Sequence, residues 1–197
     1  MSDKFSKLGI WNKQYSNKQY YSDKKVRQVY GDPKTAILAA EWLAIPEIKE
    51  VQDWGCGVGG FEQYIANWQK YIGIDGSDSP GASKILDLSN YVTSVDSIHL
   101  RHVLEHNELW EKILRNFIQS FTKRGVITIF TPFKEKTEIH KTYKNWQNTG
   151  FDMVDITFSW EDIKKVIEED SSITYKTQFN IPTKTQYGIE NIILLKK

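Results

Sequence analysis

The sequence has a single cysteine, Cys56, among its 197 residues. One cysteine cannot form a disulfide bond within the chain, and it cannot supply a cysteine-rich zinc site. The chain also lacks an apolar run near the roughly 20 residues that a membrane-spanning helix needs. Its first residues, MSDKFSKLGIW, lack the long apolar segment of a secretory signal peptide. These absences predict a cytoplasmic protein that does not insert into a membrane.

An excess of charge of one sign is also missing. The 26 lysine and arginine residues face 25 acidic residues, and the formal net charge is +1. So small a charge gives no general attraction to nucleic acid or to an anionic membrane, and neither is expected as a partner. With 40% hydrophobic residues, a chain of this length is expected to form one globular domain with its own core.

The most informative stretch is EVQDWGCGVGGFEQYI, residues 50–65. Residues 51–54 are typical of a short buried strand, and residues 61–68 have the apolar spacing of a helix. The loop between them is unusually rich in glycine, with Gly55, Gly57, Gly59 and Gly60. Glycine lets the backbone approach a ligand without a Cβ in the way, and a helix that begins there adds oriented N–H groups. The stretch therefore predicts a ligand-binding loop.

Two ligand classes fit this loop. Gly55, Gly57 and Gly60 match the G-x-G-x-x-G pattern of dinucleotide-binding proteins. With Gly59 in place of Gly60, the loop matches the G-x-G-x-G pattern of proteins that bind S-adenosylmethionine (SAM). Asp53 favours SAM, because its carboxylate can face the cationic amino and sulfonium groups of SAM and would repel a pyrophosphate.

Two further acidic residues end predicted strands. Asp75 ends the run YIGID, 20 positions after Gly55. In a doubly wound sheet its carboxylate lies beside the glycine loop, where it can accept hydrogen bonds from both hydroxyls of a ribose, in SAM or in NAD. Asp87 ends a third short strand, residues 84–88, and either accepts from an adenine amino group or merely caps a turn. Leu88 would offer an apolar wall.

The remaining pattern alternates strands and helices and then ends in two strands. It predicts an α/β fold, a Rossmann-like, doubly wound, mostly parallel seven-stranded sheet with a C-terminal antiparallel hairpin. Residues 134–158 interrupt the alternation and predict a substrate-side insertion in a domain of residues 33–197. Residues 1–32, rich in aromatic rings, are expected to form an arm or lid, with a solvated arm as the alternative. The other predicted elements are helices at 33–45, 109–121 (about five turns) and 159–170, and strands at 95–101, 126–130, 173–181 and 188–195.

Four motifs, DWGCGVGG, GIDG, LDL and HVLEH, occur in this order. Together with the order of elements, they resemble the class I SAM-dependent methyltransferases, and among these the small methyltransferases with a V-L-E-H signature after the fourth strand. The resemblance covers residues 33–133 and, by topology, the C-terminal hairpin. It does not cover the arm or the insertion. It implies SAM as the cofactor and S-adenosylhomocysteine (SAH) as the product.

The resemblance also implies a role for particular residues. The residues that would line the methionine part of SAM are Asp53, Gly55, Gly57 and Gly59. Asp75 would hold the ribose, with Gly76 and Ser77 beside it, and Asp87 and Leu88 would flank the adenine. His102 would lie near the transferred methyl group.

The four histidines are candidates for a general base, which an alcohol acceptor needs most. Strand alternation places His99 on the opposite face from His102, which predicts a structural role for His99. His106 falls in the first turn of the next predicted helix, where packing is the expected role. His102 at the reactive edge and His140 in the insertion are therefore the two candidate catalytic residues.

The acceptor is less well defined by the sequence. The fourth strand is not followed by the D/N/S-P-P-aromatic tetrapeptide of enzymes that methylate nucleobase amino groups, and no carboxylate cluster predicts a metal site. We therefore expect O-methylation of a small polar or phosphorylated acceptor, such as a building block of a surface polysaccharide (capsule), held by lysines of the arm and insertion. N-methylation, an RNA or protein substrate, and an NAD-binding module are the alternatives. A monomer and a homodimer fit the sequence equally.

Overall fold

The computed structural model describes residues 8–16 and 27–197. Its helices are α1 Lys34–Leu43, α2 Trp110–Ser120 and α3 Trp160–Ile167. Its strands are β1 Glu50–Trp54, β2 Lys70–Asp75, β3 Lys84–Ile85, β4 Val95–Arg101, β5 Phe121–Ile129, β6 Glu138–Tyr143, β7 Met153–Thr157, β8 Thr174–Pro182 and β9 Ile189–Lys196. Seven of them form one sheet in the order β3-β2-β1-β4-β5-β9-β8, and β6 pairs with β7.

The sheet has the predicted topology. Strands β1 to β5 are paired in parallel, and β9 runs antiparallel between β5 and β8. The chain moves from β1 outward to β3 and then returns to place β4 on the other side of β1. Such a switch point leaves a crevice at the carboxyl ends of the strands. The ends of β1, β2 and β4 therefore meet at one edge, and the predicted α/β fold class is confirmed.

Both faces of the sheet are covered, as a parallel sheet requires. On one face α2 buries Ile113, Leu114 and Phe117, at the spacing of a helical stripe, in a cluster with Trp54 of β1. On the other face α1 buries a small-residue stripe against Val51, Phe61 and Val126, namely Ala36, Ala39, Ala40 and Leu43. The core therefore holds the strand ends rigidly at the crevice.

The helix predicted at residues 61–68 is wrong. Only Gly60–Gln63 is helical, as one 3₁₀ turn, and Trp68 is 50% exposed. The Ala66 N–H, which a continuing helix would direct to a carbonyl one turn back, instead donates to the Gln69 side chain at 3.1 Å. A local side-chain acceptor thus ends the helix that the apolar spacing predicted.

Other boundaries also differ from the prediction. The third strand is only Lys84–Ile85, because Asp87 caps a 3₁₀ turn and its carboxylate accepts the Ser89 N–H. Helix α2 has 11 residues, which is about three turns instead of five. His106 does not lie in α2 but in the 3₁₀ turn Leu104–His106 that precedes it. The predicted position of His106 in the first turn of that helix is therefore wrong.

The segment expected to be an insertion, residues 134–158, contains the β6–β7 hairpin. Strand β7 is buried along its whole length, whereas β6 is mostly exposed. One half of the segment is thus part of the packed domain, and its location on the substrate side stays a prediction. No helix within residues 8–16 and 27–197 combines the length and the apolar character needed to cross a bilayer.

Candidate active site

A cavity of about 840 Å³ opens at the carboxyl edge of the sheet. Its walls come from the glycine loop after β1, the ends of β2 and β4, the segment 8–16, and the β6–β7 hairpin. A volume of this size lies in the upper part of the range for small-molecule sites. The cavity is where the strand-end motifs predicted a ligand.

The glycine loop has the backbone that its glycines allow. Gly55, Gly57 and Gly59 have φ values of 77°, 52° and 75°, a region that side chains rarely adopt. Gly55, Gly57 and Gly60 line the cavity, whereas Gly59 does not. A Cβ on Gly59 would lie 2.9 Å from the Gly81 Cα, so this glycine serves the close packing of two turns. Gly59 is thus outside the ligand wall in which the sequence placed it.

Asp75 is the buried acid at the end of β2. Its two carboxylate oxygens accept the N–H groups of Gly57 at 2.9 Å and Ser77 at 2.8 Å. Burial raises the pKa of Asp75 to about 6, although these hydrogen bonds oppose the shift. The residue lines the cavity, and so does Gly76. Ser77 is fully buried outside the lining, and its Oγ accepts the Trp11 N–H at 3.0 Å.

Asp53 lies in the cavity wall at the end of β1. One carboxylate oxygen accepts the Tyr71 hydroxyl at 2.7 Å, and the other lies 2.8 Å from His99 Nδ1. The His99 ring stacks on Phe61 with a centroid distance of 3.8 Å. His99 therefore lies in the same wall as His102, contrary to the face predicted by strand alternation, and it fixes the Asp53 carboxylate.

Asp87 and Leu88 both line the cavity. The Asp87 carboxylate caps the 3₁₀ turn through the Ser89 N–H at 2.9 Å, so the capping role that the sequence left open is present. A carboxylate has further lone pairs, and capping does not exclude a ligand contact. Leu88 is buried and presents an apolar surface.

His102 follows β4 directly and has a left-handed backbone, with φ of 57°. Its Nε2 lies 2.5 Å from Glu190 Oε1 on β9, so Nε2 carries the proton and donates it to the carboxylate. Within the described residues, Nδ1 of the ring has no hydrogen-bond partner. Burial, followed by the charges of Arg101 and His106, lowers the pKa of His102 well below its ordinary value. The ring is therefore neutral at physiological pH and can accept a proton at Nδ1.

Glu190 is fully buried and receives three donors. Arg101 Nη2 and His102 share Oε1, each at 2.5 Å, and the Thr35 hydroxyl donates to Oε2 at 2.6 Å. Burial raises the pKa of Glu190, while the Arg101 charge and the Thr35 hydrogen bond act against that shift. The Arg101 guanidinium in contact with Oε1 favours the ionised form of the carboxylate.

A second histidine–carboxylate pair lies beside the first. His106 Nδ1 lies 2.9 Å from the Val154 carbonyl and 3.3 Å from Asp155 Oδ1. The hydroxyls of Tyr143 and Tyr187 donate to Asp155 Oδ2 at 3.0 and 2.8 Å. Burial alone would lower the pKa of His106, but the Asp155 hydrogen bond and the Glu105 charge outweigh it and raise that pKa. His106 therefore carries a positive charge over a wider pH range than a free histidine.

His140, the other candidate base, lies on the exposed strand β6 and outside the cavity lining. Its neighbours are Lys134 Nζ, at 3.4 Å from Nδ1, and the Tyr187 ring. The physical reason is that only β7 of this hairpin is buried, so the side chains of β6 remain in solvent. Of the two predicted catalytic histidines, the structure brings only His102 to the cavity.

The segment 8–16 lies over the cavity. The Gly9 N–H donates to the Gly76 carbonyl at 2.7 Å, beside the Trp11–Ser77 contact. On the other side, Lys13 Nζ donates to the Gln147 carbonyl at 2.9 Å. The segment thus connects the turn after β2 to the tip of the β6–β7 hairpin, as a lid would. Tyr15 and Tyr30 of the predicted arm also line the cavity. The lysines and aromatic rings in residues 1–7 and 17–26 lie outside the described residues.

Comparison with known proteins decides between the two ligand classes. A family model described as a methyltransferase domain matches residues 23–165, more than half of the chain. The chain belongs to the methyltransferase family. A search of curated protein sequences found no match.

Solved structures similar to this methyltransferase share its fold at low sequence identity. One is magnesium protoporphyrin IX methyltransferase from Synechocystis PCC 6803 with bound SAM, at 17% identity and a TM-score of 0.62, covering 95% of this chain and 93% of that one. Another is 1,6-didemethyltoxoflavin-N1-methyltransferase from Burkholderia thailandensis with bound SAH, at 11% identity and a TM-score of 0.62, covering 95% and 84%. A third is the N-terminal domain of EvdMO1 in the presence of SAH and D-fucose, at 10% identity and a TM-score of 0.61, covering 93% and 96%. The predicted class I SAM-dependent methyltransferase is confirmed.

The cavity of this methyltransferase fits SAM. It combines a buried carboxylate at the end of β2, a bare backbone at the glycine loop, and the apolar wall of Leu88. A Cβ on Gly57 would approach the Tyr15 hydroxyl to 3.0 Å, so glycine lets this side chain of the segment 8–16 lie close to the loop. No group of three or more metal-ligating side chains occurs in the part of the chain that the structure describes.

Sequence reasoning missed several residues of the site. His106 was assigned to packing and Asp155 was not selected, yet the two side chains form a polar pair. Three further residues were not selected: Glu190, which pairs with His102, and Trp11 and Phe130, which line the cavity. The available signals were weak. Asp155 is an acid in an otherwise apolar buried strand, and Glu190 is an acid at the start of one, and buried acids need partners.

Proposed function

We propose that this methyltransferase transfers the methyl group of SAM to a hydroxyl oxygen of a small acceptor, with His102 as the general base. The observation that carries the proposal is the His102–Glu190 pair, which leaves Nδ1 as a proton acceptor in the cavity. Alcohol acceptors gain more than amines from a positioned base, because their proton must leave as the new bond forms.

The strand-end residues are proposed to hold the cofactor. Asp75 accepts the ribose hydroxyls, and the backbone of Gly55 and Gly57 approaches the methionine part. Asp53 attracts the amino group, while Asp87 and Leu88 flank the adenine. Bound in this way, SAM supplies a methyl group that is already activated by its sulfonium. The protein's remaining tasks are to align the acceptor and to remove its proton.

His102 is suited to that second task by its surroundings. A neutral imidazole accepts the acceptor's proton at Nδ1, and the imidazolium that results donates from Nε2 to Glu190. Arg101 favours the ionised form of Glu190, and this carboxylate at Nε2 would stabilise the new positive charge. The rings of Tyr30 and Phe130, with centroids 5.9 and 4.9 Å from that of His102, cover part of the base.

A sugar is one candidate class for this hydroxyl-bearing acceptor. The structure of EvdMO1 was solved in the presence of D-fucose, which favours the sugar-type building block, as in a capsule, that the sequence suggested. A phosphorylated acceptor has less support, because no lysine of residues 8–16 and 27–197 lines the cavity. An amine acceptor is the alternative chemistry, as the N1-methyltransferase neighbour illustrates for its own substrate.

Calorimetric titration of the full chain with SAM, SAH and NAD tests the cofactor site. We expect SAM and SAH to bind, and Asp75→Ala to weaken both more than about tenfold, because charge-assisted hydrogen bonds are lost. Asp170→Ala, an acid outside the cavity lining, is the control and should bind normally. Binding of NAD without SAM or SAH would contradict the proposal and return the loop to the dinucleotide class.

A further inference from the structure

One wall of the cavity is a continuous series of rings. It starts at His102, whose ring centroid lies 4.9 Å from that of Phe130. Phe130 lies 5.5 Å from His106, and His106 lies 5.5 Å from Trp11. Trp11 then lies 5.5 Å from Trp146. All five rings line the cavity, and we call them the ring wall. The ring wall begins at His102, the proposed base, includes Trp11 of the segment 8–16, and ends at Trp146.

The ring wall offers large flat surfaces and few hydrogen-bonding groups. The acidic group beside it, Asp155, already accepts two tyrosine hydroxyls and lies against His106. Trp146 Nε1 is a buried donor without a partner among the described residues. An acceptor in contact with this wall therefore meets aromatic rings and Met153. A sugar, with a hydroxyl on nearly every carbon, would leave several polar groups unpaired here.

We propose that the ring wall is the acceptor subsite and that the acceptor is a planar aromatic compound bearing a hydroxyl group, a phenol or a hydroxylated heteroaromatic ring. This inference rests on the proposed function and names its substrate class. Aromatic rings stabilise one another in offset or edge-to-face contact, which the ring wall provides along its length.

The reaction balances with the groups present. The phenolic oxygen forms a bond to the methyl carbon while the bond from that carbon to sulfur breaks. The bonding electron pair stays on sulfur, which becomes the neutral thioether of SAH. The phenolic proton passes to His102 Nδ1, and from there it is released to solvent. The positive charge of His106 beside Phe130 favours the oxygen as it becomes anionic.

The test is acceptor binding to the full chain saturated with SAH, measured by calorimetry. The probes are naphthol, its saturated analogue decahydronaphthol, and methyl glucoside. We expect naphthol to bind and the two non-aromatic alcohols to bind at least about tenfold more weakly. With SAM instead of SAH, mass spectrometry should detect the methyl ether of naphthol.

Tryptophan variants locate the binding. Trp11→Ala and Trp146→Ala should weaken naphthol binding about tenfold and leave SAH binding unchanged, whereas Trp11→Phe should retain most of the affinity. Trp68→Ala is the matched control, because Trp68 is 50% exposed and outside the ring wall. Preferential binding of methyl glucoside, no binding of naphthol to the SAH complex, or equal effects of all three alanine variants would overturn the inference. Failure to bind SAH at all would instead refute the proposed function.

Discussion

Two histidine–carboxylate pairs flank the same phenylalanine, and the pKa values of their histidines are shifted in opposite directions. His102 pairs with Glu190, and His106 pairs with Asp155. Their rings lie 4.9 and 5.5 Å from that of Phe130. Yet the pKa of His102 is lowered, first by burial, and the pKa of His106 is raised in spite of burial. A nearby carboxylate alone therefore does not decide the protonation of a histidine.

The neighbours of each carboxylate explain the difference. Glu190 divides its charge between Arg101 and His102, so the cation next to His102 opposes a second positive charge. Asp155 has no cationic partner other than His106 among the described residues, and its other donors are neutral hydroxyls and an amide. The charge of His106 also lowers the pKa of His102. These directions favour a neutral His102 beside a protonated His106.

The largest effect is expected from His102→Asn. Asparagine tolerates the left-handed backbone at this position and removes the base, so folding is preserved while proton transfer is lost. We expect kcat to fall by about 10²–10⁴-fold. Steady-state kinetics with the identified acceptor measures the effect, and SAH binding should not change.

His140→Asn provides the control for this variant, because it removes an exposed histidine outside the cavity. Its kcat should equal that of the wild type. An equal loss of activity in both variants would show that His102 has no special role as the base.

Glu190→Gln tests the carboxylate of the same pair. The change leaves the buried guanidinium of Arg101 without its counter-charge, and breaking such a pair costs about 3–5 kcal/mol of unfolding free energy. Chemical denaturation measures this cost. The imidazolium of His102 would also lose the negative charge that stabilises it. We therefore expect kcat to fall by more than the loss of folded protein accounts for. An unchanged denaturation midpoint would mean that the buried charges are not paired in solution.

Asp155→Asn tests the second pair. Removing the carboxylate should lower the pKa of His106 and, through the lost positive charge, raise the pKa of His102. NMR titration of the two imidazoles measures both shifts in one experiment. A change in His106 without any change in His102 would refute the coupling of the two rings.

The same pair predicts how stability depends on pH. A raised pKa of His106 gives stability that is present below its unfolded value, about 6.5, and lost as the pH rises through the folded pKa. The lowered pKa of Asp155 gives stability that is present above about 3.9 and lost on acidification. Denaturation of the wild type and Asp155→Asn should therefore differ most between about pH 4 and 6.5 and less at pH 8.

Asp75 is a buried carboxyl group that is not paired with a histidine, and it gives a contrast to the two pairs. The smallest expected effect is the pH dependence of SAH affinity that Asp75 causes. Burial raises its pKa to about 6, and the ionised form accepts the ribose hydroxyls more strongly than the protonated form. SAH affinity should therefore fall as the pH drops below about 6, by at most about tenfold for each pH unit. Calorimetry between pH 5 and 8 measures this slope. Affinity that stays constant across the range would contradict a proton-linked ribose contact.

The meeting of the proposed cofactor-binding residues at one cavity could be predicted from the sequence because they follow strand ends. Asp53, Gly57, Asp75 and Leu88 converge for one reason, namely that parallel strands in a doubly wound sheet end at the same edge. Motif, spacing and topology agree there. Gly59 was misplaced because the pattern does not reveal which glycine faces the ligand and which one packs against Gly81.

The acceptor half could not be predicted in the same way. Glu190 is 88 residues from His102 in the sequence, and only the β5–β9 pairing places it near the end of β4. His106 lines the cavity because it lies in a separate 3₁₀ turn before α2, and the sequence pattern did not reveal that turn. The wrong prediction of a helix at 61–68 has a similar origin. The Ala66 N–H donates to the Gln69 side chain, and helix propensity does not take such a contact into account.

The docking of the segment 8–16 has a kinetic consequence. The Trp11 N–H binds Ser77 Oγ, and the Ser77 N–H binds the same carboxylate, Asp75, that is proposed to receive the ribose. The turn beside the proposed ribose site therefore also positions the Trp11 ring in the ring wall. Turnover should follow a compulsory order, with SAM bound before the acceptor and SAH released last. Product inhibition by SAH should accordingly be competitive against SAM and non-competitive against the acceptor.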